Sequence, residues 1–236
     1  MTKSNTHKAG RHFLQVPGPT NIPDRVLQAM AFPAMDHRGP DFQNLSNNIL
    51  KKIKLIFKSE DPVVIFPSAG TGAMEASLAN TLSEGDKILM FETGHFATEW
   101  CQAARRYKLD VDFVPGDWRT GADPKIVEKK LSEDKNHEIK AVLITHNETS
   151  TGIKSQVEEI RKAIDSTNHP ALFMVDTISS LGSYNYEHQK WKVDVTVGGS
   201  QKGFMLPPGI SFNAISDKAL AAYKNSKLPK SYFDWG

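Results

Sequence analysis

Short apolar runs recur along this chain, and most are apolar at consecutive rather than alternate positions. They are VVIFP (63–67), KILMFE (87–92), VDFVP (111–115), KAVLITH (140–146), ALFMVD (171–176), VDVTVGG (193–199) and GISFNAIS (209–216). A strand with one wet face alternates apolar and polar side chains; strands of a sheet covered on both faces do not. Between the runs lie stretches of helical pattern at 72–82, 97–108, 123–133 and 156–166. This alternation predicts an α/β fold, a mainly parallel sheet sandwiched by helices. Ligands in such folds bind beyond the carboxyl ends of the strands. The residues that follow each run therefore carry the chemistry.

The first sixty residues read differently. PGPTNIP (17–23) is too rich in Pro and Gly for a helix or a central strand, and predicts an extended arm that enters a helix at Asp24. After DHRGPDF (36–42), Leu45, Ile49, Ile53 and Ile56 recur at helical spacing and predict an amphipathic helix. Residues 1–12 are polar, lack the apolar core of a secretory signal, and are expected to be a mobile tail. No stretch approaches the roughly 20 apolar residues of a membrane span, so a soluble, cytoplasmic protein is expected. The 29 basic and 27 acidic residues are interspersed, which argues against a nucleic-acid surface. Cys101 is the single cysteine; it can form no internal disulfide and reads as a small buried hydrophobe.

Five strand ends stand out. After VVIF comes PSAGTGAMEASL, where small residues open a helix; the N-terminal amides of that helix suit a phosphate, although a tight turn that needs Gly for its conformation explains the glycines equally well. It lacks the GK[ST] ending of a nucleotide P-loop. After KILMFE, Phe96 either stacks on a planar group or packs on the sheet. After KAVLI comes THNETSTG, with hydroxyls at Thr149 and Ser150; His146 has no second metal ligand at suitable spacing and reads as structural. After ALFMV, Asp176 ends a buried strand, where a carboxylate either caps a turn or holds a cation. After VDVTV comes GGSQKGF, which puts Lys202 on constrained backbone at the same sheet edge. A desolvated lysine is a usable amine nucleophile. Lysine for a C=N bond, aspartate for a pyridinium nitrogen, an aromatic ring and a phosphate seat together describe a pyridoxal phosphate site.

The segments VPGPTNIPDRVLQAM, DHRGPDF, PSAGTGAMEASLANTLSEGDK, THNETSTG, VDTISSLG and GSQKGFMLPPG also carry a resemblance. From about Leu14 onward the chain resembles the class V pyridoxal-phosphate aminotransferases of fold type I, nearest to the serine–glyoxylate and alanine–glyoxylate group. The resemblance implies that Lys202 binds the cofactor covalently and then moves the substrate α-proton, and that Asp176 pairs with the pyridine nitrogen. It implies that Thr149 bonds the ring hydroxyl, that Ala69, Gly70, Thr71 and Gln201 hold the phosphate, and that Phe96 stacks on the ring. Pro17 to Thr20 would form an arm near the site entrance, close to a neighbouring subunit; since family members complete each site with residues of a second subunit, the resemblance implies a homodimer. Residues 13–60 are then an arm and helix, and 61–236 the cofactor-binding large domain. The family's smaller C-terminal domain, with its arginine for the substrate carboxylate, is expected to be absent.

The implied reaction is transamination of an amino acid with glyoxylate, giving glycine and a 2-keto acid, with serine the expected donor and aspartate or alanine the alternatives. Rival readings are a desulfurase, which needs a mobile loop cysteine where Cys101 lies in a predicted helix, and a chain that binds the cofactor without turnover.

Overall fold

A computed structural model describes residues 13–236; the tail expected over 1–12 lies outside them. Seven strands form one sheet: β1 (Val63–Phe66), β2 (Lys87–Phe91), β3 (Asp110–Val114), β4 (Ile139–Thr145), β5 (Leu172–Asp176), β6 (Val195–Gly199) and β7 (Ser211–Ile215). Their order is β1-β7-β6-β5-β4-β2-β3. Each falls within or beside one of the apolar runs. The pairs β2–β3, β2–β4, β4–β5 and β5–β6 are parallel, whereas β7 runs antiparallel to both β6 and β1. The expected mainly parallel sheet is present, with β7 reversed after the Lys202 loop.

Seven helices accompany the sheet: α1 (Asp24–Met30), α2 (Pro40–Phe57), α3 (Gly70–Thr81), α4 (His95–Arg106), α5 (Pro124–Glu133), α6 (Val157–Ser166) and α7 (Asp217–Tyr223). Side-chain alternation along the strands sorts the core into two layers. Val142, Ile144, Phe173 and Val175 point to one face, where Phe57 of α2, Val127 of α5 and Ile160 of α6 cover them. Ala141, Leu143, Leu172 and Met174 point to the other, beneath Met74 and Leu78 of α3, Trp100 of α4 and Ala219 of α7. Every residue of β5, β6 and β7 is buried; β5 is accordingly apolar up to Asp176, whereas Thr196 of β6 and Ser211 and Asn213 of β7 are polar side chains buried with hydrogen-bond partners.

α3 is buried nearly all round, from Ala73 and Met74 through Thr81. Its polar side chains bond inward: Asn80 donates to the Ala76 carbonyl and to the Phe233 carbonyl, and its own oxygen accepts from the Trp235 amide. Phe233 and Trp235 thereby close the far side of the helix.

The first helices depart from expectation. α2 forms, but of its apolar stripe only Ile53 and Phe57 are buried; Leu45 and Ile49 are 42% and 43% exposed. α1 buries no residue. Phe13, Phe32 and Leu55 stand 75%, 77% and 74% exposed, so segment 13–56 presents a broad apolar surface that this chain's own core does not use.

Leu143 is fully buried at the centre of β4. Leu143→Ala should cost about 2–5 kcal/mol, seen as a lowered urea midpoint with an unchanged slope.

Candidate active site

β1, β2, β4, β5 and β6 all run in one direction, so their carboxyl ends share an edge. The loops there enclose a cavity of about 140 Å³ lined by Ala69, Gly70, Thr71, Phe96, Thr149, Asp176, Gln201 and Lys202, the residues singled out from sequence, together with Met74 and Ile178. Residues up to 133 positions apart in the chain meet because adjacent parallel strands end at one level.

Asp176 is the last residue of β5 and only 4% exposed. Its Oδ1 accepts the Ile178 amide at 2.8 Å. Burial pushes its pKa up to about 7, and the Glu148 charge adds to the rise; the Ile178 amide, the Lys202 charge and Thr145 oppose it. Thr145 is the register partner of Asp176 across β4–β5, and its buried hydroxyl forms no hydrogen bond of good geometry, so its effect on the carboxyl is small beside that of burial. Asp176 thus begins a turn and also lacks a full cationic partner. Lys202 is half-buried, and the same loss of water pulls its pKa down, against the pull of Asp176.

The turn before α3 needs its glycine for space rather than for conformation. Gly70 is not among the glycines with positive φ, but a Cβ there would lie 2.4 Å from Ile178 Cδ1. Ala69 is the N-cap, and no side chain caps the helix. The first amides of a 12-residue helix, with its dipole, are therefore left to an anion.

Phe96 lies in the first turn of α4. What holds it is Glu148, which the sequence reading passed over. This carboxylate is fully buried; it accepts the amides of Phe96 at 3.3 Å, Ala97 at 3.1 Å and Ser150 at 3.1 Å, and the Ser150 hydroxyl at 2.8 Å. A carboxylate at a helix N-terminus is stabilised by the helix dipole. Glu148 thereby ties α4 to the loop that carries Thr149. A Glu among the small polar residues of THNETSTG was the available signal.

His146 sits behind the site. Its ring is 3% exposed, bonds the Ser180 hydroxyl at 2.9 Å through Nδ1, and lies against Tyr186 and Trp191. Burial lowers its pKa to about 4, so it is neutral. Among the described residues, no group of three or more His, Cys, Asp or Glu side chains can hold a metal ion, and no helix is long and apolar enough to cross a membrane.

The residues present fit pyridoxal phosphate. An uncapped helix end suits its phosphate, a buried carboxyl without a full cationic partner suits its ring nitrogen, and an amine stands at the same cavity. Gln201 adds a buried Oε1 that has no partner among the described residues.

Residues 12–231 match the family described as "Aminotransferase class-V". The chain belongs to the class V aminotransferase family. It is 47% identical over 236 residues to serine–glyoxylate aminotransferase of Methylorubrum extorquens, covering 98% of this chain and 59% of that protein. It is 44% identical to L-aspartate–glyoxylate aminotransferase of Paracoccus denitrificans, covering 93% of this chain and 56% of that one. The crystal structure of alanine–glyoxylate aminotransferase from Nostoc superposes with a TM-score of 0.87 at 28% identity, covering 99% of this chain and 61% of that chain. This class V chain thus spans little more than half the length of the relatives it matches.

Between 3.8 and about 7 the folded chain holds a proton on Asp176 that the unfolded chain has released, so stability falls as pH rises through that window. His146 acts oppositely between about 4 and 6.5, but equally in wild type and in an Asp176 variant. Without cofactor, Asp176→Asn should therefore gain on wild type as pH rises to 7, by up to about 4 kcal/mol, with a constant difference above it. Urea midpoints across this range measure the difference; a pH-independent gap would mean that the carboxyl titrates as if exposed.

Proposed function

We propose that this chain binds pyridoxal 5'-phosphate and serves transamination between an amino acid, serine foremost, and glyoxylate, yielding glycine and a 2-keto acid. The observation that carries this is a buried carboxyl raised to about 7 in the same cavity as a half-buried lysine and an uncapped helix N-terminus. Serine is favoured by the 47% identity to a serine–glyoxylate enzyme; the 44% identity to an L-aspartate–glyoxylate enzyme makes aspartate the second donor to test, with alanine third.

Bound pyridoxal phosphate would supply an aldehyde and an electron-withdrawing ring that stabilises negative charge on the substrate α-carbon. The chain's own residues do the rest. Lys202, its amine made less basic by burial, would hold the cofactor covalently and would be the base for the substrate Cα proton. Asp176 would hold the proton at the ring nitrogen, since a cationic N–H beside it would relieve its reluctance to ionise. The amides of Ala69 and Gly70, with Thr71 and Gln201, hold the phosphate. Thr149 would bond the ring hydroxyl, and Phe96, fixed by Glu148, would cover the ring and exclude water. Residues 61–236 form the cofactor-binding domain, and residues 13–60 the arm and helix that lead into it.

The reading includes a homodimer, because a second copy would cover the apolar surface of α1 and α2. It also includes a cytoplasmic setting, since buried Cys101 needs no oxidising compartment. Sedimentation should show a dimer, and Leu55→Glu, at a side chain 74% exposed, should shift it toward monomer with secondary structure retained.

The deciding experiment is the absorbance of the chain with pyridoxal phosphate, for wild type and Lys202→Ala. The expected result is a red-shifted band, absent in the variant, that L-serine bleaches toward the amine form. A band that ignores serine, aspartate and alanine would mean cofactor binding without turnover. An identical band in Lys202→Ala would overturn the assignment of the lysine.

A further inference from the structure

We infer that residues 17–20 are a strap that positions the Lys202 amine, with the Pro17 carbonyl as the acceptor on which the free amine docks. This rests on the reading of Lys202 as the covalent lysine, and adds residues to its machinery.

Lys202 Nζ donates to the Pro17 carbonyl at 3.1 Å, across 185 positions of sequence. Among the described residues this is its only hydrogen bond. The contact is held from behind. The Thr20 amide donates to the Gln201 carbonyl at 3.0 Å, and the Thr20 hydroxyl lies 3.3 Å from the carbonyls of both Gln201 and Lys202. The strap therefore grips the lysine at its backbone and at its tip.

Between these grips lies Gly18, with φ 153°; a Cβ there would stand 2.5 Å from Lys202 Cδ and 2.7 Å from Cε and Nζ. The φ itself favours glycine, and the lysine stem runs directly over its Cα, so a side chain there would push the stem aside. Of residues 13–21, only Gly18 and Thr20 are even half-buried, so the segment touches the protein chiefly where it meets this lysine. Pro17 and Pro19 have fixed φ and no N–H, which stiffens the strap and leaves the Pro17 carbonyl without a neighbouring donor to compete.

The consequence is for the approach of the amine. A free lysine stem samples many rotamers and carries its ammonium into water. Packed on Gly18 and tethered at Pro17, it is kept at the cavity it shares with Asp176 and Thr71. In the covalent step Lys202, as the neutral amine, forms a C=N bond to an aldehyde carbon. The carbonyl oxygen leaves as water and carries off the amine's two hydrogens. Whenever that bond is exchanged for one to a substrate amine, the strap receives the released amine and holds it near the substrate.

The test uses the chain with Gly18→Ala, Thr20→Val and Thr20→Ser. One readout is the rate of covalent bond formation with pyridoxal phosphate, trapped with borohydride and located at Lys202 by mass. The other is the affinity for pyridoxamine phosphate, which has the same ring and phosphate but no aldehyde and so never uses the lysine. Gly18→Ala and Thr20→Val should slow the covalent step about tenfold, the scale of freeing one ordered long side chain, and leave pyridoxamine phosphate affinity unchanged. Thr20→Ser, which keeps the hydroxyl, should restore the rate. Unchanged rates in both Gly18→Ala and Thr20→Val would overturn the strap, as would an affinity for pyridoxamine phosphate that falls in step with the rate. An adduct trapped equally well in Lys202→Ala would overturn the reading beneath it instead.

Discussion

The covering of one sheet on both faces is the constraint from which the rest follows. β5, β6 and β7 are buried at every residue, so they have no solvent-exposed face on which to place chemistry. A few polar side chains within the strands, such as Thr196 and Asn213, are used up in internal hydrogen bonds, and polar groups with free valence gather where the strands end and their carbonyls and amides need partners. Because β1, β2, β4, β5 and β6 end at one edge, that need is concentrated in one place. The cavity is therefore a consequence of the layer architecture, and α3, uncapped and almost fully buried, fills its floor.

The same burial sets the electrostatics. Asp176 and Lys202 carry opposite charges, yet each is shifted toward its neutral form, the acid upward and the amine downward. Loss of water outweighs their mutual attraction, which appears among the causes of both shifts only as the weaker, opposing effect. Glu148 is buried still more completely, but four hydrogen-bond contacts to the start of α4 and to Ser150 satisfy it. Two buried carboxyls in one site thus have different duties. One is satisfied and structural; the other is left short of partners and is suited to a cation.

Much of this was legible in the residues. Most of the strands were readable because burial on both faces leaves a continuous apolar run; β7, with Ser211 and Asn213 buried among its apolar residues, is the exception. The positions after those runs were readable because parallel topology sends them to one edge. Lys202, Asp176, Phe96, Thr149 and the segment from Ala69 to Thr71 meet in one cavity as that rule requires. α2 was legible as a helix but not in what it faces, since helical spacing of Leu45 and Ile49 specifies a stripe and not the surface that covers it. Gly70 looked like a residue chosen for its backbone angles; it is small because Ile178, 108 positions later, lies on it. Glu148 was not read at all, because nothing local distinguishes a buried carboxylate from a solvated one.

The sequence by itself determined the class of fold, the order of its elements and the residue types gathered at the sheet edge, since these depend on periodicity and on which residues follow which. Only the tertiary structure decided which groups touch. The Pro17 carbonyl meets the Lys202 amine, and Glu148 meets the first amides of α4, through contacts between segments far apart in the chain. Main-chain carbonyls and amides are common to nearly every residue, so no residue code can announce which of them a fold will bring to a side chain.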